Sequence, residues 1–173
     1  MNPSTTPSLA LLSQLDCDSF TEQLGDIFEH SPWVATAAWA QRPFNSISAL
    51  HQAMVDAVFA AQHEQQLALI QAHPELAGKE AASGTLTHAS TAEQRGAGLD
   101  QCSSDELTRL RALNTAYRNQ FGFPFVIAVK GLSRYQIMDA ITARLENDAA
   151  TEFQTSLQEI SKIGRFRLDA LLT

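Results

Sequence analysis

The chain has 173 residues, 45% of them hydrophobic, a mean hydropathy of -0.13 and a formal net charge of -7, which fits one domain, residues 1–173, with a full core. The acidic balance argues against a nucleic-acid footprint, no apolar run reaches transmembrane length, and the first residues lack a signal peptide's basic and apolar regions. Cys17 and Cys102 are too few and too isolated for a disulfide framework or a zinc site, and Leu171-Leu172-Thr173 is not a peroxisomal address, so a soluble cytoplasmic chain is expected, with neither nucleic acid nor membrane as partner.

Almost everything periodic has a helical period. Asp18 can cap a helix through Phe20, Leu24, Ile27 and Phe28, and Ser31 followed by Pro32 is a helix-start signature. Ser46 can open a long helix with Leu50, Met54, Val58 and Phe59 on one face, continuing or restarting through Leu67 and Ile70. A residue before proline is pushed out of the α region, so this pattern should end by Ala72 and leave His73 at a helix C-terminus. From Pro74 to Ala89 there is no convincing period, and Gly78 and Gly84 fall inside; such a loop is either functional or disordered. Ser90-Thr91-Ala92-Glu93 and Ser103-Ser104-Asp105-Glu106 both match the capping-box spacing. The second precedes a stripe of Leu107, Leu110, Leu113, Tyr117 and Phe121, stopped by Gly122. Phe123-Pro124-Phe125-Val126-Ile127-Ala128-Val129 is the only strand-like piece, and one apolar run cannot make a sheet. Ser133 opens a helix carrying Ile137, Met138, Ile141 and Leu145, and a last helix spans about Glu152 to Leu171, with Lys162, Arg165 and Arg167 in its later turns, where cations are favoured. The predicted fold class is all-α: a single compact multi-helix bundle-like domain with one extended buried connector.

Several chemistries lack their motif. His63-Glu64 has no histidine at position 67, so the zincin pattern fails, and His30, His51, His63, His73 and His88 show no close ligand spacing. There is no Gly-x-Ser-x-Gly elbow, and neither cysteine has a basic neighbour to lower its pKa. Gly96-Ala97-Gly98 is too short for a phosphate loop.

Other residues have two readings each. At a helix C-terminus the macrodipole favours a protonated His73 ring by roughly 0.3–2 kcal/mol, which describes either a poised general acid or a capping histidine. Glu93 can complete a capping box with Ser90, or both can face a cleft beside the irregular loop. Arg144 lies on the edge of the Ile137–Ile141 arc. A guanidinium there needs an anion, unless its stem snorkels to solvent or it pairs with a structural Asp or Glu. Arg134, on the same face, sits in the first turn and can escape to water. Phe121-Gly122-Phe123-Pro124-Phe125 reads as core packing or as a rigid apolar wall for a flat heterocycle. Trp33 and the Arg42-Pro43-Phe44 turn share that duality and are weighted toward packing.

Taken in order, a set of segments resembles one family, 2-oxo-4-hydroxy-4-carboxy-5-ureidoimidazoline (OHCU) decarboxylase of urate degradation. They are Ser31-Pro32-Trp33-Val34-Ala35, Arg42-Pro43-Phe44, His73-Pro74-Glu75-Leu76-Ala77-Gly78, Ser90-Thr91-Ala92-Glu93-Gln94 and Ala97-Gly98-Leu99-Asp100. Leu113-Asn114-Thr115-Ala116-Tyr117, Phe121-Gly122-Phe123-Pro124-Phe125-Val126 and Arg144-Leu145-Glu146-Asn147 follow. Each is weak alone, and the ordered set is specific. The resemblance implies an all-α fold, usually a homodimer, that needs no metal or organic cofactor and converts OHCU to (S)-allantoin and carbon dioxide. It implies that His73 is the proton donor, Glu93 a catalytic glutamate and Arg144 the arginine holding the substrate's carboxylate end. It further implies substrate contacts at Pro74, Ser90 and Gln94, and along Phe125, Val126, Ile127, Ala128 and Val129, partly through backbone groups. The rival is a catalytically silent helical protein that binds a purine-derived ligand or a pathway partner; a metal-dependent amidohydrolase has no ligand pattern in its favour.

Overall fold

The computed structural model describes residues 8–172, so the readings of the first residues and of Thr173 fall outside it. Among the described residues every regular element is helical, as the periodicity predicts. The chain forms two compact units, Met1–Ala72 with Ser161–Thr173, and His73–Ile160.

The first unit holds α1 (Leu9–Leu12), α2 (Cys17–Leu24), α3 (Trp33–Trp39), α4 (Ile47–Ala60) and α5 (His63–Ala72), together with the end of the last helix. Asp16, not Asp18, caps α2: its backbone is extended and its carboxylate accepts the Ser19 N–H at 2.8 Å, while Asp18 lies in the first turn. That bond also holds the Asp16 carboxyl below its usual pKa. The helix stops at Leu24, so Ile27 and Phe28 reach the core from the irregular stretch after it. Helix α3 follows Pro32 directly, with no side-chain cap. Ser46 does cap α4, accepting the Ala49 N–H at 3.0 Å. The next helix is a restart, because Ala61 is extended.

The second unit holds α6 (Lys79–Ser83), α7 (His88–Gly96), a 3-10 turn (Leu99–Gln101), α8 (Ser104–Phe121), α9 (Arg134–Arg144) and the start of α10 (Ala149–Leu172). Ser103 and Glu106 form the expected capping box of α8, and Gly122 ends that helix at φ 82°. Ser133 and Gln136 form a second box at α9. Asp148 accepts the Thr151 N–H at 2.7 Å and so starts α10 before the expected Glu152. Between α8 and α9 the Phe123–Val129 segment is neither helix nor strand, and Phe123, Pro124, Phe125, Val126 and Val129 are buried. It is the extended connector that its composition predicts.

Two further expectations change. The Pro74–Ala89 stretch is not one irregular loop, since it contains α6 and the first turn of α7. Arg134 does not escape to water: its Nε lies 3.2 Å from a Glu106 carboxylate oxygen. Arg167, in the later turns of the last helix as read, is buried and paired in the first unit with buried Glu29 at 2.8 Å.

Candidate active site

The site residues marked in the sequence all belong to the second unit. Helix α5 ends at Ala72, and the proline after His73 keeps the helix from running on. The His73 side chain is buried. The chain then turns through Glu75–Gly78, where the Gly78 N–H donates to the Glu75 carbonyl at 3.3 Å. Ala77 takes a left-handed backbone at φ 50°, which costs an L-residue roughly 1–2 kcal/mol. Gly78 is needed beside it, since a Cβ there would sit 2.8 Å from the Glu75 Cβ.

Three side chains hold this turn. The Ala77 N–H donates to Gln94 Oε1 at 2.9 Å. Asn114 Nδ2 donates to the Leu76 carbonyl at 2.9 Å. Arg118 Nε meets the Glu75 carboxylate at 2.9 Å. The backbone partners fix which way each amide points: a carbonyl demands the nitrogen of Asn114, and an N–H demands the oxygen of Gln94. The other halves, Gln94 Nε2 and Asn114 Oδ1, are buried without a hydrogen-bond partner. An orphaned buried polar atom costs about 1–3 kcal/mol, so local stability alone does not account for these two amides.

Helix α7 carries the second cluster, and its start corrects the sequence reading. The cap is Thr87, whose hydroxyl accepts the Ser90 N–H at 3.2 Å. Ser90 and Glu93 are therefore not a capping box but interior positions. Ser90, Glu93 and Gln94 stand at i, i+3 and i+4, the spacing of one helix face. Ser90 and Gln94 are buried and Glu93 is half-buried. Once capping is assigned to Thr87, it no longer explains why a glutamate stands at 93.

Arg144 sits in a part-buried network of hydrogen bonds. Its Nε donates to Glu152 Oε1 at 2.7 Å and its Nη1 to the Val126 carbonyl at 2.7 Å. Nη2 lies 3.4 Å from both Tyr117 Oη and Ser156 Oγ, and the guanidinium sits 4.4 Å from the centre of the Phe125 ring. Glu152 is fully buried and also accepts from Tyr117 Oη at 2.7 Å and Asn147 Nδ2 at 3.0 Å. Burial, reinforced by the bond to Glu152, pushes the Tyr117 phenol well above its usual pKa. Arg144 and Asn147 of the Arg-Leu-Glu-Asn segment thus converge on one carboxylate. The pairing of Arg144 with a buried glutamate is present in the structure.

Two groups therefore emerge. One joins the turn after His73 to α7 through Gln94, and the other joins Arg144 to the connector through Val126. Helix α8 serves both, with Asn114 and Arg118 on the turn and Tyr117 on the Arg144 network. Within the connector, Phe125, Val126 and Val129 are buried, the Val126 carbonyl is taken, and Ile127 and Ala128 keep accessible surface. Asn114 and Glu152 were not among the expected site residues. For Asn114 a signal existed: it is an amide four residues after Leu110 and three before Tyr117, inside the apolar stripe. Glu152 carried none beyond its place near a helix start.

Comparison with known proteins identifies the family. The OHCU decarboxylase family model matches residues 13–169. The 2-oxo-4-hydroxy-4-carboxy-5-ureidoimidazoline decarboxylase of Haloferax volcanii is 43% identical over 93% of this chain and 94% of its own length. The uric acid degradation bifunctional protein PucL of Bacillus subtilis is 45% identical over 94% of this chain, which spans only 32% of that longer protein. A crystal structure of (S)-allantoin synthase superposes with a TM-score of 0.77 at 28% identity, covering 96% of this chain and 54% of that one. The chain belongs to the OHCU decarboxylase family.

Proposed function

We propose that this chain carries out its family's reaction, the decarboxylation of OHCU to (S)-allantoin and carbon dioxide in urate degradation, with His73 as the proton donor. The observation that carries the proposal is the bond from the Ala77 N–H to Gln94 Oε1. It ties the turn that follows His73 to a helix face bearing Ser90, Glu93 and Gln94, none of which is the cap of that helix.

The chemistry needs little else. When the carbon–carbon bond to the carboxylate breaks, its electron pair can pass into the imine of the substrate's own ring. Carbon dioxide leaves, the imine nitrogen takes up a proton, and the resulting enol becomes the ring carbonyl as its hydroxyl loses a proton and the neighbouring ureido-bearing carbon gains one. A substrate with a built-in electron sink requires no resident cofactor or metal. The protein has to hold the ring, settle the developing charge and deliver the proton to one face. His73 delivers it, and general acid catalysis of this kind contributes about 10²–10⁴-fold. Glu93 accepts hydrogen bonds from ring or ureido N–H groups. Pro74, Ser90 and Gln94 complete that side of the pocket, and Ile127 and Ala128 present the exposed part of the Phe125–Val129 wall. Arg144 acts from behind that wall, fixing Val126 through its carbonyl; its engagement with Glu152 supports this role over a direct grip on the substrate's carboxylate. A firm grip on the leaving carboxylate would also stabilise the ground state and slow its loss. The family resemblance supports a homodimer in the cytoplasm, which light scattering and cell fractionation test.

The experiment is to generate fresh OHCU from urate with upstream enzymes and follow circular dichroism. Accelerated appearance of one allantoin enantiomer is expected. A rate no faster than spontaneous decay overturns the proposal and favours a silent ligand-binding protein.

A further inference from the structure

We infer that Asn114 is a positioning residue for this reaction: it acts on catalysis through the Leu76 carbonyl, without touching substrate, by fixing the turn that aims His73. The inference rests on the reading of His73 as proton donor.

The geometry is specific. The peptide between Leu76 and Ala77 is gripped from both ends, by Asn114 on the carbonyl and by Gln94 on the N–H, each at 2.9 Å. Ala77 holds a left-handed conformation that alanine does not prefer, so these side-chain bonds are what maintain it. Little slack lies between that peptide and His73. Proline fixes its own φ at position 74 and confines His73 to the extended region. Only Glu75 and the dihedrals of Leu76 lie between Pro74 and the gripped peptide, and the Glu75 side chain is itself held by Arg118, one turn along α8 from Asn114. A shift of the Leu76 carbonyl therefore carries through to the imidazole. A misplacement of about 1 Å at the reacting groups can cost about a hundredfold in rate.

Asn114 is almost wholly buried, and its Oδ1 has no partner. An amide placed only to fill the core would be better replaced by an apolar side chain of that size. What the amide alone supplies is the N–H to Leu76.

The decisive variant is Asn114→Asp, which keeps the shape and sets an oxygen against the Leu76 carbonyl. At neutral pH its kcat should fall by about tenfold to a hundredfold, with affinity for allantoin unchanged. As pH drops and the new carboxyl protonates, it can donate an O–H to Leu76, so the ratio of variant to wild-type kcat should rise. A purely structural residue would change the amount of folded enzyme and leave that ratio flat. Wild-type-like kcat in folded Asn114→Asp, or a flat ratio, overturns the inference. If Asn114→Asp does not fold, Arg118→Ala, made at a half-exposed site, is read in its place: lower kcat at unchanged allantoin affinity supports the positioning of the turn, and unchanged kcat overturns it. An inactive wild-type enzyme would instead overturn the proposed function, so the two failures are distinct.

Discussion

Helices α7 and α8 both open on a hydroxyl side chain, and both carry a Ser-x-x-Glu quartet near their start, yet the two quartets do opposite things. At α8 the quartet is the cap: Ser103 accepts the Glu106 N–H at 3.1 Å and Glu106 accepts the Ser103 N–H at 2.9 Å. At α7 the helix has already begun at Thr87, so Ser90 and Glu93 fall within it and share a face with Gln94. A helix has one N-cap, the residue whose extended backbone lets its side chain reach back to the first turn. The same letters placed one turn further along become a polar stripe. At α8 the glutamate completes the cap, while at α7 the cap is Thr87 and the glutamate lies within the helix.

The largest effect that tests this contrast is on turnover. His73→Asn should lower kcat by about 10²–10⁴-fold, with far-UV circular dichroism and allantoin binding retained, and Glu93→Gln should lower kcat and weaken allantoin binding with the same far-UV spectrum. Glu106→Gln should leave kcat as it is. If Glu93→Gln turned over normally, the α7 quartet would be no more catalytic than the α8 one.

Arg144 gives the next effect, and it acts on stability. Its side chain is 11% exposed and that of Glu152 is 0% exposed. Arg144→Ala leaves a buried carboxylate with only neutral donors, a change that typically destabilises by about 3–5 kcal/mol. Urea unfolding would measure it. A normal midpoint combined with a strongly raised KM would return Arg144 to the substrate's carboxylate and make its bond to Glu152 incidental.

Caps come third. Thr87→Ala and Ser103→Ala should each cost about 1 kcal/mol, the usual loss of a hydroxyl cap. Ser90→Ala should show no loss of capping, and its effect should fall on the binding of allantoin. Equal destabilisation by Ser90→Ala and Thr87→Ala would mean that α7 is not capped by Thr87 alone.

These cases also show which features could be read from the chain. The helices, the extended connector and the stop at Ala72 follow from periodicity, turn residues and the proline at 74, all of which act over a few neighbouring positions. The cap of α7 did not, because Thr87 and Ser90 are both good caps and only the backbone path out of α6 decides between them. Nor did the partner of Arg144. The apolar arc showed that a guanidinium there needs an anion, but Glu152 reaches it only once α10 is packed in place. The grip of Asn114 on Leu76 spans a long stretch of chain, and nothing local at either end announces it.

The smallest effect concerns pH, and it isolates the α8 quartet. The Glu106 carboxyl is lowered to about 2 from an ordinary 4.5, first by the Ser103 backbone N–H, with further help from the Tyr135 hydroxyl and Arg134. A depressed folded-state value means that the contribution is complete above the ordinary value, shrinks as pH falls below 4.5 and is gone beneath about 2. Glu106→Gln should therefore flatten the loss of stability through that acid window and leave the slope near neutrality unchanged. Denaturant midpoints measured across the window decide it. Midpoints of Glu106→Gln that fall across the window as steeply as those of the wild type would show that this carboxylate does not carry the acid sensitivity of the α8 start.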